Sequence, residues 1–144
     1  MSDASLLDAY PSEDVVRPKV NPTRVDLIRK VMAVEVPAAL VDRFDAPPNS
    51  RCRELAQDVV IALWNFDHLR PKKISASTIG GIMIVYWDES CGLRMEIEVD
   101  NEGDITGVIA SSSAILQSDL VTPPAEWSDL VRDYHRRIAE ASSL

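Results

Sequence analysis

Five carboxylates fall within nine residues of this chain: Glu96, Glu98, Asp100, Glu102 and Asp104. A row of that kind has two chemical uses, holding a divalent cation or steering a basic partner. Leu93, Met95, Ile97 and Val99 alternate with Arg94, Glu96, Glu98 and Asp100, the period-two pattern of a strand with one dry and one wet side. Same-face neighbours on a strand lie about 7 Å apart, so Glu96 and Glu98 do not chelate one ion without help from another strand. The turn at 100–104 resembles a calcium loop in its acids, but it lacks the ligand spacing and the terminal glutamate. An ordinary solvated face is the default for such a row, a partner-binding surface is the functional alternative, and a metal site comes last.

Other reactive side chains are few. His68 stands at a helix end before Arg70, and His135 stands among arginines; each reads as a solvated terminus or a partner of the helix dipole. Cys52 falls in an apolar helical stripe and reads as core. Cys91 sits in a turn beside Asp88 and Glu89, which disfavour a thiolate. A Cys–His pair that meets only in space stays open as an alternative. Gly80-Gly81 carries neither phosphate-loop spacing, and Ser75, Ser77, Ser90 and Ser111 to Ser113 have no nucleophile-elbow context. Trp64 reads as core packing, whereas Trp87, at a strand end beside an acidic turn, is predicted to be partly exposed and to extend an interface. The sole basic cluster, Arg132 to Arg137, reads as a helix face and makes a weak nucleic-acid footprint.

The elements that must position these residues follow from periodicity and punctuation. Residues 1–22 hold three of the nine prolines and scattered acids, predicting an extended or mobile arm whose Leu6, Leu7 and Tyr10 dock on the body or on a partner. A helix is predicted over 23–36, entered at Asn21-Pro22-Thr23 with Thr23 as cap, striped by Val25, Ile28, Val31 and Met32, and stopped by Pro37. One or two helical turns follow over 38–44. After the Pro47-Pro48 linker a second helix spans 50–69, with Cys52, Leu55, Val59, Leu63 and Phe66 recurring at three or four and Ala56, Val60 and Ala62 broadening the stripe. A four-stranded antiparallel meander is then predicted over 73–111, with an edge strand at 74–77, Gly80-Gly81 as turn or bulge, and Gly103 in the last turn. Residues 114–121 read as a short helix. Thr122-Pro123 opens the final helix, 123–141, striped by Trp127, Leu130, Val131, Tyr134 and Ile138. The class is α+β: a single domain over 23–144, its sheet packed by an N-terminal helical region and a C-terminal helix.

Pro47-Pro48-Asn49-Ser50, the helix after it, Gly80-Gly81-Ile82-Met83-Ile84-Val85-Tyr86 and Met95-Glu96-Ile97-Glu98-Val99 together resemble a loosely defined set of small uncharacterised bacterial proteins. The likeness covers residues 45–110; Phe44-Asp45-Ala46 departs from the aromatic-Asp/Asn-Gly element that often opens the linker there. It implies this fold and a bacterial or mobile-element origin, and brings no activity and no catalytic residue.

Bulk properties narrow the function classes. A formal charge of −8 and a pI near 4.7 oppose binding to nucleic acid or an anionic membrane, and favour a basic partner. No run of 18 apolar residues exists, the N-terminus is acidic rather than basic, and two cysteines make no disulfide framework or zinc site. These features predict a cytoplasmic, non-enzymatic interaction module of bacterial or phage origin, of antitoxin, immunity or inhibitor type. No catalytic residue, metal or cofactor is predicted, and no direct nucleic-acid or membrane contact. The predicted partner is a basic protein surface, met by Glu96, Glu98, Asp100, Glu102 and Trp87. A self-assembling structural subunit, a homo-oligomer through an exposed strand edge or helix stripe, is the alternative. A metal-dependent hydrolase using the acidic strand is the third.

Overall fold

The computed structural model describes residues 21–121 and 125–142. The arm expected over 1–22 lies, through residue 20, outside the described residues, as does the expected Thr122-Pro123 start of the last helix.

The first helix, α1, is Pro22–Met32. Its cap is Asn21 rather than Thr23: the Asn21 carboxamide oxygen accepts from the N–H groups of Thr23 (2.9 Å) and Arg24 (3.4 Å), with Pro22 in the first turn. The helix ends four residues short of the predicted 36. Arg53, from the next helix, donates to the carbonyls of Val31 and Met32 at 3.2 Å each, occupying acceptors that a longer helix would have used. The buried face is also rotated from the expected stripe. Leu27 and Val31 are buried, whereas Val25 and Met32 are exposed. A single 3₁₀ stretch, Ala38–Arg43, follows.

The second helix, α2, is Ser50–Asp67. Asn49 caps it, its side chain accepting from Cys52 N–H at 2.8 Å. Cys52, Ala56, Val59, Val60 and Leu63 are buried, but Phe66, expected in the same stripe, is exposed. The chain leaves the helix at His68, whose φ of 54° is left-handed and turns Leu69 back toward the core.

Five strands follow: β1 (Lys73–Ser77), β2 (Gly81–Trp87), β3 (Arg94–Asp100), β4 (Ile105–Ala110) and β5 (Ile115–Leu120). They lie in chain order, each antiparallel to the next. The four-stranded prediction was one strand short, and the short helix expected at 114–121 is β5. Ser111 N–H donates to the Ala114 carbonyl (2.9 Å) and Ala114 N–H to Ser111 Oγ (3.2 Å), closing a tight reversal that lays the chain along β4. Once reversed, the backbone is claimed by the ladder whatever its weak periodicity favours. The last helix, α3, is Ala125–Ser142, with Trp127, Leu130, Val131 and Tyr134 buried.

One core joins these elements. α1 packs on α2, α2 lies on β2 and β3, and α2 also meets α3. From the sheet, Ile82, Ile84, Tyr86, Met95, Ile97, Val99, Ile105 and Ile109 point into that core. The fold is therefore α+β with one antiparallel sheet. No described helix is long and apolar enough to cross a membrane.

Candidate binding surface

Because side chains alternate along a strand, the same register that buries Met95, Ile97 and Val99 turns Arg94, Glu96, Glu98 and Asp100 to the opposite face. β3 is the central strand of five, so its acids sit in the middle of that face. Their neighbours are set by pairing. Trp87 lies opposite Arg94, Val85 opposite Glu96, and Met83 opposite Glu98; on the other flank Val108 meets Glu96 and Thr106 meets Glu98. All are partly exposed, and Trp87 reaches 43%. The face is thus a mixed surface in which acids alternate with aliphatic and aromatic groups.

Reading the acids alone misses those apolar neighbours. Ile82 to Trp87, apolar at every position, reads as a strand covered on both faces; the structure seals only one, leaving Met83, Val85 and Trp87 beside the acids of β3.

The carboxylates are not equivalent. Glu96 is paired with the Arg94 guanidinium, which also donates to the Ser111 carbonyl at 3.0 Å. Glu98 accepts from the hydroxyl of Ser77, a buried residue at the end of β1. Asp100 shapes the turn, accepting from Glu102 N–H (3.0 Å) and Asp104 N–H (2.8 Å). Glu102 and Asp104 are exposed at the rim. Three carboxylates on β3 stand against one guanidinium, so the face keeps an excess of negative charge after its internal pairs are formed.

That turn is tied to the helical layer. Asn101 accepts from Asn49 N–H (2.9 Å), donates to the Pro47 carbonyl (3.0 Å), and receives Asn49 Nδ2 on its own carbonyl (3.0 Å).

The remaining reactive groups lie elsewhere. His135 pairs with Asp67, and His68 meets the Trp64 ring edge-on at 4.8 Å; both contacts are between or within helices, away from the acidic row. Cys91 Sγ rests 3.5 Å from Asp88, which also receives the Ser90 hydroxyl and is held below the usual carboxylate range mainly by it. Cys52 is sealed in the core with its thiol toward the Val99 carbonyl at 3.0 Å. Burial pushes its pKa up to about 11. A thiol whose folded pKa is raised contributes stability below its unfolded value and loses it as pH climbs toward the folded value. We therefore expect stability to fall between about pH 9 and 11, and Cys52→Ala to flatten that part of the profile in urea titrations. A wild-type profile that stays level to pH 11 would contradict the burial.

A concavity of about 240 Å³ lies between β5 and α3 and is lined by Gln117, Asp119, Asp129, Leu130 and Asp133. Its acids are partnered: Asp129 by Arg132 (2.7 Å), Asp133 by Gln117 (3.0 Å) and Arg136 (3.5 Å), and Asp119 by Gln117 (3.1 Å). Among the described residues no group of three or more His, Cys, Asp or Glu side chains is placed to hold a metal ion. In comparisons with protein-family models, curated proteins and solved structures, none matches this chain.

Proposed function

We propose that the protein is a binding module whose open sheet face, built on Glu96, Glu98, Asp100, Glu102 and Trp87, covers a basic and partly apolar surface of another protein. The observation that carries this reading is the register. It sets Glu96 and Glu98 between Val85 and Met83 on one side and Val108 and Thr106 on the other, with Trp87 at the end. Acids at this density steer a cationic partner at long range, and the interleaved apolar groups supply area to bury once it arrives. Trp is the residue type most often found to dominate such contacts.

The test uses the partner recovered with the full chain from its source cells, followed by binding kinetics with both proteins purified. Raising salt from about 50 to 500 mM should slow association roughly tenfold or more, since exposed charges are screened over a few ångströms at the higher value. Glu96→Gln with Glu98→Gln keeps the hydrogen-bonding shape, removes two charges, and should flatten that salt response. Trp87→Ala should weaken binding by about tenfold or more. A partner whose association ignores both salt and the double substitution does not use this face.

A further inference from the structure

The two edges of the sheet are unlike. β1 is guarded: Lys72 and Lys73 stand at its start, and charged side chains there deter pairing with another chain. β5 has no such guard. Ile115 (69%), Leu116 (40%) and Leu120 (73%) are exposed along it, and its one charge, Asp119, is held by Gln117.

Among the described residues the outer backbone of β5 is also without a strand partner. Val121 N–H donates to the Ile105 carbonyl at 2.8 Å, and the register pairs Leu120 with Thr106, Asp119 with Gly107, Ser118 with Val108 and Gln117 with Ile109. In an antiparallel ladder successive residues aim their backbone groups to alternate sides. Gln117 and Asp119 therefore aim theirs at β4, and Ser118 and Leu120 aim theirs outward, where no described strand lies.

The sequence of that edge says what fits it. Leu116-Gln117-Ser118-Asp119-Leu120 is a near-palindrome in chemistry, apolar at both ends, polar within, and serine at the centre. Lay a second copy antiparallel to it, with outward-aimed residues meeting outward-aimed ones. Ser118 then faces its own counterpart, each Leu116 faces the other copy's Leu120, and each Gln117 amide faces the other copy's Asp119 carboxylate. No like charges are opposed, and the exposed leucines cover one another on the same face. The register passes from Ala110–Ile115 to Ile109–Gln117, so the extra residue is Leu116 itself, and the bend falls at the first residue of this stretch while Gln117 to Leu120 stay in regular register. The helices do not obstruct. α3 sits over β4 and β5, with Leu130 against Gly107 and Asp133 on Gln117. At about 4.8 Å per strand the two copies of α3 would run roughly 10–14 Å apart, at or beyond contact distance for packed helices.

We propose that two copies of this chain join through β5, antiparallel about Ser118, to make one continuous sheet of five strands from each copy. This does not depend on the binding reading above. Both open faces would lie on the same side of the joint sheet, so a dimer would present the acidic surface twice.

Sedimentation equilibrium of the full chain from micromolar to hundreds of micromolar should show a reversible shift from 15.9 kDa to twice that mass. Ser118→Pro removes an N–H that β4 does not use, so it should abolish the shift while circular dichroism and the melting temperature stay near wild type. Leu116→Lys with Leu120→Lys should do the same through exposed positions. In a Cys91→Ser background, Ser118→Cys should give a covalent dimer under mild oxidation, because hydrogen-bonded pairs place α-carbons about 5.5 Å apart, within disulfide range. A wild-type chain that stays monomeric throughout would overturn the proposal, as would a dimer that survives both the proline and the lysine substitutions.

Discussion

Gly81→Ala is expected to destabilise the protein by about 3–5 kcal/mol, because among the five glycines it alone would press a β-carbon into backbone at under 3.0 Å. Two causes add. Gly81 has φ +150°, a conformation that side chains rarely adopt, and a β-carbon there would fall 2.2 Å from the Val99 carbonyl oxygen and 2.8 Å from Asp100 Cα. Both neighbours are backbone of the central strand, so neither can rotate aside. Relief requires β2 to pull away from β3 at the point where Gly81 pairs with Asp100. A urea titration should show the midpoint falling steeply, and the melting temperature should drop by about 10 °C or more. The control is Gly107→Ala. Its β-carbon would meet Leu130 Cδ2 at 2.7 Å, but that atom is the end of a flexible side chain. A loss of about 1–2 kcal/mol is expected there. Equal effects at the two positions would mean that the close approach of β2 to β3 is wrong.

The second large effect separates the two faces of one strand. Ile97→Ala removes a side chain with no solvent exposure at the centre of the central strand, and should cost about 3–4 kcal/mol through lost burial and the cavity left behind. Glu96→Ala, one residue away, should change stability by less than about 1 kcal/mol. Its pair with Arg94 is partly solvated, and Arg94 keeps its bond to the Ser111 carbonyl. A ratio near one between the two substitutions, measured by chemical denaturation, would be incompatible with a sheet that has one sealed and one open side.

How much of this was legible depends on whether the cause is local. The alternation in Leu93 to Asp100 announces its own orientation, and the same face is dry in the structure. Trp87 was legible as partly exposed because a strand end beside an acidic turn has little to cover it. β5 was not legible. Ile115, Leu116, Leu120 and Val121 fit neither a period of two nor one of 3.6, and only the vacant flank of β4 decides their state. The end of α1 was hidden for the same reason, since the group that occupies its carbonyls comes from Arg53, more than twenty residues later. At the candidate surface the acids were visible as a cluster. Their internal partners, Ser77 for Glu98 and the turn amides for Asp100, depend on which residues the register brings alongside.

Asn49 does two jobs at once: its side-chain oxygen holds the first turn of α2, and its side-chain nitrogen holds Asn101 in the turn that follows the acidic strand. Two carboxamides, those of Asn49 and Asn101, therefore rivet the rim of the open face to the start of α2. Pressure applied at Glu102 or Asp104 has a short mechanical route to the far layer of the molecule, through that pair of side chains.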